Sequence, residues 1–365
     1  MASTRVISFV LVLSFACFLS LPISTTASKY NISAVFAFGD STIDPGNNNN
    51  LKSTLVRADH LPYGRDLPNH VPTGRFCNGK LSTDFLVSKL GIKDLLPAYL
   101  DPKLTDNDLL TGVSFASAGS GLDNHTIALT KVIDLPTQFQ SFEQALTRIS
   151  KLVGDEKTRH IVENALFVIS IGSNDMMFNV YLLPTRNIEF NISGYQDLLL
   201  HNLNSFIERL YQAGARKIVV AGLPPIGCLP VLITAKNIFP PNPRWLHREC
   251  KEDQNRDSQA YNSKLTSRIL PPLRAGLQGA KIGYFDIYTP IFDMVTNPAK
   301  YGFDETHQGC CGTGHIEMGP LCNVLDPICP DASKYLFWDA VHPTQAAYSV
   351  LADYGLKTLL PYLNN

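Results

Sequence analysis

Four short apolar runs punctuate the chain: AVFAF at 34–38, ALFVISI at 165–171, KIVVAG at 217–222 and KIGYFDI at 281–287. Each has the length and the β-branched or aromatic content of a buried strand. Between them the apolar positions recur with a helical period. FQSFEQALTRISKL sets Phe139, Phe142, Leu146 and Ile149 on one face, and NLNSFIERLYQAG does so with Leu203, Phe206, Ile207 and Leu210 before a stop at Gly214. The last segment, PTQAAYSVLADYGLKTLLPYL, spaces Tyr348, Leu351, Ala352, Gly355 and Leu359 along one stripe, so the chain should end in a helix with Pro343 in its first turn. Strands alternating with helices of this length predict right-handed crossovers, hence an α/β fold in three layers around a central parallel sheet.

The N-terminus departs from this pattern. MASTRVISFVLVLSFACFLSLPISTTAS begins with one Arg, runs apolar to about Leu21 and ends in small residues. That is the layout of a secretory signal peptide, assigned to residues 1–27 with cleavage after Ala27 or Ser28. The run is interrupted by Ser and closed by Pro22, short of the ~20 apolar residues that span a bilayer, so no transmembrane anchor is expected after cleavage. With no internal repeat, linker or break in composition, residues 28–365 read as one domain. Its surplus length falls in stretches rich in Pro, Gly or Cys at 44–80, 223–250 and 300–335, which are the candidates to build a cleft.

Secretion changes how the polar residues read. Asn31, Asn124 and Asn191 open N-x-S/T sequons and become candidate glycan acceptors. Of the eight cysteines, Cys17 leaves with the leader, and Cys77, Cys228, Cys250, Cys310, Cys311, Cys322 and Cys329 remain. An odd number leaves at least one thiol free or paired between chains, and Cys77 is the candidate. The cluster at 310–329 lacks paired C-x-x-C spacing and lies in an oxidising compartment, which favours disulfides over zinc. Cys228 and Cys250 would staple the ends of a proline-rich excursion if bonded. The 365 residues carry a formal net charge of -1, with no long run of one sign, and so offer no footprint for nucleic acid or an anionic membrane.

In an open parallel sheet, ligands bind beyond the carboxyl ends of the strands. Three polar elements follow apolar runs: Gly39-Asp40-Ser41 after AVFAF, Ser117-Ala118-Gly119-Ser120-Gly121 after VSFA, and Gly172-Ser173-Asn174-Asp175 after ALFVISI. If the runs are neighbouring strands, all three meet at one edge. A serine nucleophile needs a histidine to take its proton and an acid to hold that histidine. His342, in FWDAVHPTQ, has an acid, Asp339, three residues before it in a compact constellation with aromatics and a proline. The Ser41 N–H, the Gly119 N–H and the Asn174 amide are the donors to aim at a developing oxyanion. Taken singly, a D-x-x-H is more often a helix cap followed by a surface histidine, while Gly119 is equally a turn glycine and Asn174 an Asx turn. The elbow G-x-S-x-G is absent, because Ile43 stands where its second glycine would be. No phosphate-binding, zinc-protease or dinucleotide signature occurs either.

VFAFGDSTIDPGNNNN, GVSFASAGSG, VISIGSNDM and YLFWDAVHPTQAAY resemble, in order, the blocks of the plant GDSL esterase/lipase family of SGNH hydrolases. The likeness runs from about Val35 to the C-terminus and includes KIVVAGLPPIGCLP and GCCGTGHIEMGPLCN. It implies a flavodoxin-like α/β/α sandwich, hydrolysis of small-molecule or lipid carboxylic esters, no metal or organic cofactor, and residence outside the cell in the wall or apoplast. It implies Ser41, Asp339 and His342 as catalytic, with Ser41, Gly119 and Asn174 as the oxyanion hole. Thr42 replaces the name-giving leucine, Ser114 stands where many members have Asn, and Cys77 where Ser is usual. Two alternatives use the same residues: an acyltransferase with a sugar or phenolic acceptor, and a catalytically silent protein that binds lipids or glycans. Asp44 and the asparagines after it are expected to brace their loop by side-chain to backbone hydrogen bonds, without a catalytic part.

Overall fold

Each of the four apolar runs becomes a strand, within a residue or two of the expected ends: β1 Val35–Gly39, β2 Leu166–Ser170, β3 Lys217–Ala221 and β4 Lys281–Phe285. A computed structural model describes residues 31–238, 248–359, 361 and 363. The expected leader at 1–27 and its cleavage point lie outside the described residues, as does part of the proline-rich excursion. The strands pair in parallel in the order β1-β2-β3-β4, with Val35 opposite Leu166 and Leu166 opposite Lys217. On the free side of β1 the VSFA segment joins by a parallel bridge from Ser114 to Ala37, with the Phe115 N–H donating to Ala37 O at 2.8 Å. Counted in chain order, that segment makes the spatial order 2-1-3-4-5, the flavodoxin-like arrangement.

The alternation of side chains along each strand divides the core into two. Phe36, Phe38, Phe167, Ile169, Ile218, Val220 and Ile282 pack against the helices Leu135–Val153 and Ile192–Gln212, through Phe139, Phe142, Ile149, Leu203, Phe206, Ile207 and Leu210. Val35, Ala37, Leu166, Val168 and Val219 turn the other way, onto Val87, Leu90 and Leu96, with Leu356 and Leu359 alongside. The helices Ser82–Lys89 and Gln345–Thr358 form that second outer layer. The fold is therefore a three-layer α/β/α sandwich. Leu146, expected on the buried face, is only partly covered. Each fully buried Phe contributes roughly 3 kcal/mol through area removed from water.

Local chemistry sets the helix ends. Asp134 caps Leu135–Val153 by accepting the Thr137 N–H at 2.8 Å, with a proline in the first turn and Gly154 at φ 82° beyond its end. Asn191 caps Ile192–Gln212 by accepting the Gly194 N–H at 2.8 Å. The final helix is capped by Thr344, so Pro343 precedes the cap and is not in the first turn. Among the described residues no helix is long and apolar enough to cross a membrane.

Two features differ from the expectation of plain loops. Residues 305–309 form β5 (Glu305–Gly309), paired in parallel with β6 (Tyr335–Phe337) in a separate small sheet, and Pro230–Ile238 is helical. The periodicity of ETHQG is polar, so the strand carries no apolar signal. Disulfides join Cys228 to Cys250, Cys310 to Cys329 and Cys311 to Cys322, and Cys77 is a buried free thiol.

Gly39 ends β1 at φ 145°, and a Cβ there would lie 1.8 Å from the Ser170 carbonyl oxygen. Any side chain must push β1 from β2 directly beneath Ser41. Gly39→Ala should cost roughly 3 kcal/mol by strain and overpacking together, read as a lowered midpoint in chemical denaturation; an unchanged midpoint contradicts the close approach.

Candidate active site

β1 stops where the Asp40 N–H donates to Ser170 O at 3.1 Å, and the chain turns over Ser41, with the Ile43 N–H returning to Asp40 O at 3.2 Å. Asp40 fixes this turn by accepting from the Thr42 N–H at 3.0 Å and the Thr42 hydroxyl at 2.7 Å. Gln138 holds it from beneath: its Oε1 accepts the Gly39 N–H at 2.9 Å and its Nε2 donates to Gly39 O at 3.0 Å.

At the other end of the chain, β6 leads into Trp338 and Asp339. The Trp338 N–H donates to His342 O at 2.7 Å, which closes a turn carrying both polar side chains. Asp339 Oδ1 accepts the N–H groups of Val341 at 2.8 Å and His342 at 2.7 Å. The same carboxylate faces His342 Nδ1, with its oxygens 2.9 and 2.8 Å away. His342 Nε2 lies 2.7 Å from Ser41 Oγ. With the ring proton on Nδ1, Nε2 is the acceptor for the serine hydroxyl. All three side chains are almost wholly covered: Ser41 is 6% exposed, His342 5% and Asp339 0%. Phe76 packs on the imidazole, ring centroids 4.8 Å apart.

The other expected donors come to the same place. Ser41, Gly119, Asn174 and His342 line one cavity of about 250 Å³. The N–H groups of Ser41 and Gly119 donate to no acceptor among the described residues. Asn174 spends one amide hydrogen on Ser120 O at 2.9 Å and retains a second. Asn174 sits in the helical turn Ser173–Met176 that opens just beyond β2.

The asparagine run fixes the position of Gly119. Asp44 Oδ2 accepts the Ala118 N–H at 2.8 Å, and its Oδ1 accepts from Gly46 at 2.8 Å and Asn47 at 2.7 Å. Asn47 donates to Ser114 O and Ala116 O at 2.9 and 2.7 Å, and Asn48 donates to Ala118 O at 2.8 Å. Asp175 does the same for the next loop, accepting from Leu122 N–H at 2.8 Å and Asp123 N–H at 3.0 Å. Burial pushes the carboxyls of Asp40, Asp44 and Asp175 up to about 6, against the pull of these donors.

The cavity is otherwise apolar. Leu55, Val56 and Phe76 from the stretch 44–80 form one wall, and Met318, Pro320 and Leu321 from 300–335 form another, with Met177 and Phe178 beyond Asn174. The third stretch expected to build the cleft, 223–250, contributes no lining among its described residues. Its Cys228 and Ile226 are instead part of the core. The two disulfides at 310–329 close the loop that carries Met318 and Leu321. Asn31, Asn124 and Asn191 are all exposed.

Three contributors escaped the sequence reading: Tyr63, whose hydroxyl contacts Asp339, Phe76 and Gln138. Only Gln138 left a signal, as an amide set among the apolar positions Leu135, Phe139 and Phe142 of its helix.

A hydroxyl, an imidazole and a carboxylate in series at the strand ends of a parallel sheet, beside unspent N–H donors, can transfer an acyl group from an ester. The GDSL-like lipase/acylhydrolase profile matches residues 35–354. A GDSL esterase/lipase of Arabidopsis thaliana is 52% identical over 332 residues, 91% of this chain and 91% of its own length. A second from the same plant is 46% identical over 356 residues, 97% of this chain and 96% of its own, and a third 47% identical over 322 residues, 88% of each. The chain belongs to the GDSL esterase/lipase family and is a carboxylic ester hydrolase.

Proposed function

We propose that this is a secreted serine esterase/lipase that works through an acyl-enzyme on Ser41. The observation that carries the reading is the 2.7 Å contact of Ser41 Oγ with His342 Nε2, backed by Asp339 on Nδ1. His342 Nε2 takes the Ser41 proton as Oγ attacks the ester carbonyl, and the carbonyl π electrons move onto its oxygen. The N–H groups of Ser41 and Gly119 and the Asn174 amide receive that oxyanion. Collapse expels the alcohol, which takes the proton from Nε2. Water then repeats the sequence, its proton going to Nε2 and returning to Ser41 as the acid leaves.

The apolar walls of the cavity fit the acyl part of a small-molecule or lipid ester. Three disulfides, exposed sequons at Asn31, Asn124 and Asn191, and the leader-like N-terminus support secretion to the wall or apoplast with glycans on those asparagines. A fluorophosphonate probe tests the nucleophile directly. It should label Ser41 and no other residue, as read by peptide mass spectrometry. Folded, active protein whose Ser41 stays unlabelled defeats the proposal.

A further inference from the structure

We infer that Tyr63 is a positioning residue that fixes the Asp339 carboxylate and ties it to the wall of the cleft. The inference rests on reading Ser41, His342 and Asp339 as the catalytic set. The Tyr63 hydroxyl donates to Asp339 Oδ2 at 2.7 Å and accepts the Gly319 N–H at 2.8 Å. It is thus used in both directions, once on the acid and once on a residue that lines the cavity.

The ring leaves the hydroxyl little freedom. Tyr63 is fully buried, edge-on to Phe76 at 5.5 Å and to Trp338 at 6.3 Å between centroids. Both neighbours belong to the site: Phe76 covers the imidazole, and Trp338 precedes Asp339 in the turn. Backbone donors pin Oδ1 of the carboxylate from Val341 and His342. Apart from the imidazole, Tyr63 is the one donor to Oδ2 among the described residues. Without it Oδ2 keeps the imidazole as its one donor, while Oδ1 stays pinned by the two backbone N–H groups.

The second consequence is electrostatic. A phenol O–H draws charge from the carboxylate it binds and so weakens that carboxylate's hold on the imidazolium formed during the reaction. Burial first, and Asp339 second, push the Tyr63 phenol well above the ordinary tyrosine range, so it remains a donor wherever the enzyme works. The other titratable and charged groups around the pair are His60, edge-on to the Tyr63 ring at 5.4 Å between centroids, Arg65 over the Trp338 ring, Asp40 below Ser41, Cys77, and Tyr348 on the last helix. Burial raises the last three, Asp40 to about 6, and all five are common to parent and variant.

The test compares pH profiles of kcat/KM for a nitrophenyl butyrate. In Tyr63→Phe the value at the optimum should fall about 10- to 100-fold, the scale of one hydrogen bond to a charged group. The acid limb should move to higher pH, because an unshared carboxylate stabilises the imidazolium more. A purely structural loss lowers the profile without moving its limb, so an unmoved limb overturns the inference. If Tyr63→Phe does not fold, 3-fluorotyrosine at position 63 keeps the shape and strengthens the donor. Its acid limb should move to lower pH, and no movement again overturns the inference. Ser41→Ala, run alongside, keeps the two levels apart. Turnover retained there defeats the catalytic reading itself, whereas inactive Ser41→Ala with unmoved limbs at position 63 defeats only the part given to Tyr63.

Discussion

Ser41→Ala should lower kcat for a short-chain nitrophenyl ester by about a millionfold, the scale found when a nucleophile is removed from a set that acts as a unit. The change deletes one oxygen from a residue that is 6% exposed and whose side chain has His342 Nε2 as its only partner among the described residues, so the fold should be unaffected. The Ser41 and Gly119 N–H groups and Asn174 remain in place, so ester should still bind. The variant is therefore also the blank for a screen of acyl and alcohol moieties. Turnover within tenfold of the parent, in protein with the parent's thermal midpoint, would remove Ser41 from the mechanism.

Asp339→Asn should lower kcat by about ten-thousandfold through the wrong imidazole tautomer. Asp339 Oδ1 accepts two backbone N–H groups, from Val341 and His342, which a carboxamide can satisfy only with its oxygen. Its NH₂ must then occupy the Oδ2 position, 2.8 Å from His342 Nδ1 and 2.7 Å from the Tyr63 hydroxyl, which has to turn its own hydrogen away. An amide donor there favours Nδ1 as the acceptor and shifts the ring proton to Nε2. Nε2 can no longer take the proton of Ser41, although every heavy atom keeps its place. The expected result is a large loss in kcat with a small change in KM and an unaltered circular dichroism spectrum. Loss of less than tenfold would mean that Asp339 does not set the tautomer.

The parts of the site that lay in one turn were legible from the residues. Asp339 and His342 are three apart, so their bond follows from local geometry. The strand positions were legible too, because runs of four or five consecutive apolar residues such as AVFAF and IVVA have few places to go other than the middle of a sheet. Bracing by Asp44 and the asparagines was foreseeable from side-chain chemistry, but their acceptors, some 70 residues away at Ser114, Ala116 and Ala118, were not. The small sheet went unseen because β5 is polar. The stretch 223–250 was assigned to the cleft on its prolines, whose composition marks a break in regular structure without saying on which side of the sheet it lies.

By itself, the sequence determined the parallel α/β/α order, the polar turns at three strand ends and the Asp339–His342 pair, since each depends on periodicity or on contacts within a few residues. Only the tertiary structure decided that Ser41 meets a histidine 301 residues away, that Tyr63 reaches Asp339 across 276, and which loops wall the cavity. A pattern along the chain fixes which face of a strand or helix is buried. It carries no distance between elements, and the chemistry of FGDSTIDPGNNNN depends on distances of about 3 Å that arise only when the sheet is assembled.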